Sequence, residues 1–169
     1  MDFLAEAIAK LSVTPKLMEE SVCGLSEEQL SWKFVPEVFS MRENVWHLRD
    51  IDVEGYAHRI RLILEEERPM LPDVDGKRLA RERNYNAQAI QPGLDDLRRS
   101  RAASVERLEG CSVQDLDRKA EMQGVGSIDL RRLLELWMEH DAGHIRDVVE
   151  LRRAIDTGAG PSFVQHQAA

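Results

Sequence analysis

LRRLLELWMEHDAGHIRDVVEL, residues 130–151, is the stretch that decides the fold class. Leu130, Leu133, Leu134, Trp137, Met138, Ile145, Val148 and Leu151 recur in steps of three and four, the period of one helical face. Ser127 or Asp129 stands ready as its N-cap. His140 and His144 fall on the same stripe, three and seven residues after Trp137 and eight and four before Val148. The helix therefore turns both imidazoles inward, where each ring nitrogen needs a partner. Their i, i+4 spacing puts both rings on one face, within reach of a single ion. Asp141 follows His140, so the pair is not the HExxH of zinc peptidases. Two readings stand at this point: metal ligands, or core histidines hydrogen-bonded to carboxylates.

Working outward, Ser40-Met41-Arg42-Glu43 has the capping-box pattern and opens a second long helix, predicted to run to Glu67 ahead of Pro69. It carries His47, a third imidazole. Three imidazoles on two helices leave coordination positions open, which suits a reactive site better than a closed structural one. Asp50 and Glu54 follow His47 by three and seven residues, on roughly its face. They are candidates for orienting a ligand or acting as a general base, with surface carboxylates as the alternative. His58 is three turns further on, too far to share the ion, and His166 lies near the C-terminus. Trp46 and Trp137 read first as core aromatics and second as pocket walls.

A first helical region spans Asp2 to Val22, where Pro15 after Thr14 either kinks one helix or opens another. Ser26 to Leu30 reads as a short capped turn, followed by an extended connection through Trp32, Phe34, Pro36 and Phe39. Beyond a loop from Pro69 to Gly76, Leu79 to Gln88 is predicted helical, and Leu94 to Leu108 follows Pro92 and stops at Gly110. Residues 114–122 are polar with little periodicity, Gly124-Val125-Gly126 is a turn, and no strand alternation is visible. The prediction is an all-α, antiparallel four-helix bundle with short accessory helices over residues 1–155, then a flexible tail over 156–169.

The chain is 43% hydrophobic and 32% charged with a formal net charge of -8, a globular profile that argues against a nucleic-acid partner. The clusters Arg78/Arg81/Arg83 and Arg98/Arg99/Arg101 alternate with acids and read as solvated helix faces. MDFLAEAIAK has an early acid and no long apolar run, so no membrane partner and a cytoplasmic location are expected. Cys23 and Cys111 lack CxxC spacing and read as free, partly buried thiols of a reducing compartment.

The segment Phe39-Ser40-Met41-Arg42-Glu43-Asn44-Val45-Trp46-His47-Leu48-Arg49-Asp50 resembles the W-S-x-x-E-x-x-x-H-L-x-D segment of DinB/YfiT-like proteins, with Phe39 in place of Trp. Ser127 to Leu134 together with Trp137 to Ile145 is similar to their final helix, with its T-L-x-x-L-L opening and H-D-x-x-H ending. The resemblance spans residues of about 1 to 155. It implies a four-helix bundle, often homodimeric, in which His47, His140 and His144 bind a divalent metal; imidazole ligands suit zinc or nickel, with iron or manganese as alternatives. It also implies, as in some members, transfer of a low-molecular-weight thiol such as bacillithiol or mycothiol onto a small electrophile. A hydrolase would instead use water with Asp50 or Glu54 as base. The competing class is a non-catalytic bundle whose histidines are structural and whose surface binds a partner or a second copy.

Overall fold

The computed structural model describes residues 2–158. Helix α1 is Phe3–Val22, and the short α2, Glu27–Ser31, begins at Ser26 with a complete capping box closed by Gln29. Helix α3, Met41–Asp50, starts at the predicted box of Ser40 and Glu43 and continues through a π-helical stretch, Ile51–Tyr56, into α4, Ala57–Glu65. Together these form one long rod. Strand β1, Met70–Leu71, leads to α5, Gly76–Glu82, and a 3₁₀ turn, Tyr85–Ala87, set off by Asn84 at φ 46°. Helix α6 is Ile90–Glu109. Strands β2, Lys119–Met122, and β3, Gly126–Asp129, precede α7, Leu130–Thr157, which Asp129 caps by accepting from the Arg132 amide.

The small sheet corrects the expectation of no strands. β2 pairs antiparallel with β3, and β1 adds to β2 in parallel. Its core side holds one buried residue per strand, Leu71, Ala120 and Ile128, the last two facing each other in register, so the apolar alternation was too short to read. The hairpin turns through Gly124 and Gly126, both at positive φ, which only glycine adopts without cost. Helix α7 runs to Thr157, two residues beyond the predicted end, and is capped by Gly158; residues 159–169 of the predicted tail lie outside the described residues.

Helix α1 packs on α6 and α7, and α3 packs on the same two, so the first and second rods lie on a diagonal of the four-helix bundle. Their directions follow from the contacts. Phe3 meets Arg131, Thr14 meets Asp141, and Arg152 reaches the Ser21 and Cys23 carbonyls, so α1 and α7 run parallel. Asn44 meets His144, His47 meets His140, and Tyr56 stacks on Trp137, so the second rod and α7 run antiparallel. Arg49 meets Asp96, Asp52 meets Arg101, and Glu65 meets Arg107, so the second rod and α6 run parallel. Antiparallel and parallel neighbours therefore coexist in the bundle.

A polar layer divides the core. One apolar cluster holds Leu4, Leu11, Ile60, Leu108 and Trp137, and a second holds Met18, Val45, Leu97, Val148 and Leu151. Between them each rod contributes one buried polar side chain: Thr14, Asp52, Arg101 and Asp141. Arg101, 1% exposed, is no solvated surface residue: it bonds Asp52 and Asp141 and lies over the Trp137 ring. It also explains Pro15, which stays inside an unbroken α1. Proline cannot donate to the Leu11 carbonyl one turn back, and the Arg101 guanidinium does so instead, at 2.6 Å.

Candidate metal centre

The antiparallel packing of α3 on α7 brings His47, His140 and His144 together, with one ligand-type nitrogen from each within 4.8 Å of the others. Ring centroids are separated by 5.2 Å (His47 to His140), 4.6 Å (His47 to His144) and 4.6 Å (His140 to His144). The Nε2 atoms of His47 and His140 stand 3.1 Å apart. Two nitrogens on one tetrahedral ion with bonds of about 2.0–2.1 Å are about 3.3 Å apart, so the pair already has the spacing a shared ion requires. Among the described residues no fourth His, Cys, Asp or Glu joins this group.

His144 is oriented by Asn44. The Asn44 amide nitrogen donates to the Ser40 carbonyl at 2.9 Å, which turns its oxygen toward His144 Nδ1 at 2.8 Å. An oxygen there requires the proton on Nδ1 and leaves the Nε2 lone pair for an ion. Nothing at the sequence level singled out Asn44, although it lies one turn before His47. Burial, followed by the neighbouring imidazoles, lowers the His47 pKa well below its usual value and that of His144 to about 3. Both rings are therefore neutral near pH 7, the form that binds metal.

His47 is buried and His140 and His144 half-buried; the His140 side chain retains 23% of its exposure, so the cluster is reached from the α7 side. Phe39 forms an apolar wall, its ring 5.1 Å from His47 and 6.4 Å from His144. Gly76, the first residue of α5, lies against the opposite edge of His47. A Cβ there would stand 2.3 Å from His47 Cε1 and 2.7 Å from Nδ1, so only glycine allows α5 to cover this imidazole.

Asp50 and Glu54 are placed elsewhere. The buried Asp50 carboxylate accepts from Arg49, Arg83 and Tyr85, while both Glu54 oxygens accept from Arg83. With Trp46 and Gln88 these groups line a cavity of about 500 Å³. Arg83 stays exposed, as the reading of a solvated face expected, but is tied to both carboxylates; only Arg101 overturns that reading. Trp46 walls this cavity and donates to the Ala89 carbonyl, whereas Trp137 is core and stacks on Tyr56 at 5.0 Å. His58 lies beside Arg61, and His166 is outside the described residues. Cys23 and Cys111 are free, and Cys23 is exposed rather than partly buried.

Comparison with known proteins agrees with the fold. The family model of the DinB superfamily matches residues 10–148. A protein of Oceanobacillus iheyensis is 26% identical over 152 residues, covering 89% of this chain and 87% of its own length. Another, from Bacillus licheniformis, is 28% identical over 160 residues, covering 89% and 85%. Both bear the provisional name of metal-dependent hydrolase. YfiT of Bacillus subtilis, a four-helix bundle described as having an unusual topology, superposes with a TM-score of 0.83 at 23% identity over 90% of this chain and 87% of that one. Among the described residues no helix is long and apolar enough to cross a membrane.

Proposed function

The chain belongs to the DinB superfamily, and from its histidine cluster we propose that it is a metal-dependent enzyme, with His47, His140 and His144 holding a zinc or nickel ion. The observation that carries the proposal is that three imidazoles, two of them held neutral by burial, converge on one point without a fourth protein ligand among the described residues. A structural site of this kind is closed by four ligands, whereas a reactive site keeps a place for substrate.

When bound, such an ion lowers the pKa of a thiol or a water brought to it and supplies the nucleophile at neutral pH. The chain's own groups do the rest. Asn44 orients His144, Gly76 lets α5 cover His47, and Phe39 excludes water from one side. We favour a low-molecular-weight thiol as the nucleophile and a small electrophile as its acceptor. Thiol transfer needs no carboxylate base, and both carboxylates considered for that role are already engaged by Arg83. Hydrolysis is the second reading, favoured by the provisional names of the two relatives. A homodimer belongs to the same proposal and is read by light scattering.

The test is a paired screen on the zinc- and nickel-loaded protein: conjugation of a panel of thiols to an aryl halide, and hydrolysis of an aryl ester. Thiol-dependent conjugation that His144→Ala abolishes supports transfer; ester hydrolysis lost in the same variant, without conjugation, replaces it with the second reading.

A further inference from the structure

The three histidines differ in how their second ring nitrogen is held. His144 Nδ1 meets Asn44, but the Nδ1 of His140 is buried without a hydrogen-bond partner. Facing it at 3.7 Å is Asp141 Oδ1, also buried and also unpartnered. A potential donor and an acceptor thus stand opposite each other, just beyond hydrogen-bond length. The carboxylate cannot turn away to find another donor. Its Oδ2 accepts from Thr14 Oγ1 at 2.7 Å and from Arg101 at 2.6 Å, and Arg101 is in turn tied to Asp52 and the Leu11 carbonyl.

An ion shared with His47 requires the Nε2 lone pair of His140, which places the His140 proton on Nδ1. The acceptor that proton meets is Asp141 Oδ1. We propose that Asp141 is the positioning residue for His140, and that the mid-core layer of Thr14, Arg101 and Asp52 sets the angle at which this ligand meets the ion. The inference rests on the three-histidine reading above and adds a second task to the polar layer that divides the core. Two ligands are then oriented by different chemistry: His144 by a neutral amide, His140 by a carboxylate, which also makes its imidazole the stronger donor.

The test uses Asp141→Asn and Thr14→Val beside the wild type, with folding checked by circular dichroism. Zinc affinity is measured by competition with a chromophoric chelator, and the ring protons of the zinc-loaded proteins by NMR. In Asp141→Asn the new amide turns its oxygen to Arg101 and its NH₂ toward His140. Affinity is expected to fall about 10- to 100-fold. The His140 Nδ1 proton is expected to lose its protection from solvent exchange, while that of His144 stays protected. Thr14→Val, which frees one lone pair of Asp141, is expected to weaken zinc by about threefold, and it decides the matter if Asp141→Asn does not fold. A purely structural Asp141 would lower the melting temperature and leave the affinity and the His140 proton unchanged, which overturns the proposal. A wild type that takes up no zinc sinks the three-histidine reading and this inference with it; zinc binding that both variants keep sinks this inference alone.

Discussion

Two polar clusters share the rod that carries His47, and they are opposite in kind. In the cavity lined by Asp50 and Glu54 every carboxylate oxygen has a guanidinium or hydroxyl partner. At the histidines, two buried ring nitrogens have none, and two Nε2 atoms face each other at 3.1 Å. Buried polarity that is satisfied holds a structure together, while buried polarity left unsatisfied costs free energy that a bound group can recover. The clusters should therefore fail differently when damaged.

The largest effect is expected on stability, at the paired cluster. Asp50→Asn removes the charge that Arg49, Arg83 and Tyr85 converge on. Denaturant titration is expected to show a loss of about 2–3 kcal/mol, below the ~3–5 kcal/mol of a fully buried pair because Arg83 is partly exposed. Zinc affinity should not change. If it falls in step with stability, the two clusters are one site and the comparison breaks.

At the unpaired cluster the effect is reversed. Asn44→Ala takes away the acceptor that fixes the His144 tautomer and is expected to weaken metal binding about 10- to 100-fold. An unchanged dissociation constant would show that the packing of α3 on α7 orients His144 without Asn44.

Acid should separate the clusters more gently. The folded pKa values of His47 and His144 lie below their unfolded values, so between about pH 6.5 and the folded values the unfolded chain binds more protons. Stability of the metal-free protein then falls as pH drops below about 6.5. Burial raises Asp52 to about 6, against the pull of Arg101, so it takes up a proton in the folded state and offsets part of the loss. The expected net loss between pH 7 and pH 5 is about 2–3 kcal/mol, read from melting curves. A protein as stable at pH 5 as at pH 7 would mean that the histidines protonate freely.

The halves of the site were not equally legible in the sequence. His140 and His144 could be read because they interrupt an apolar stripe at its own period, and His47 because Ser40 and Glu43 announce where its helix begins. Asp50 misled because a three-residue step leaves about 60° of rotation, enough to turn it toward Arg83 and Tyr85. Glu54 misled because it lies in the π-helical stretch, where 3.6 residues per turn no longer holds. The four-helix bundle was legible from periodicity. Which rods are diagonal was not, since helix direction leaves no local trace. Arg101 reads as surface by composition, and its partners are 40 and 49 residues away in the chain.

The most direct measurement is metal content by elemental mass spectrometry on untagged protein, beside a folded His140→Ala/His144→Ala variant. The account predicts close to one zinc or nickel ion per chain in the wild type and none in the variant. A wild type that stays metal-free after incubation with both metals, or a variant that binds as much as the wild type, would contradict it.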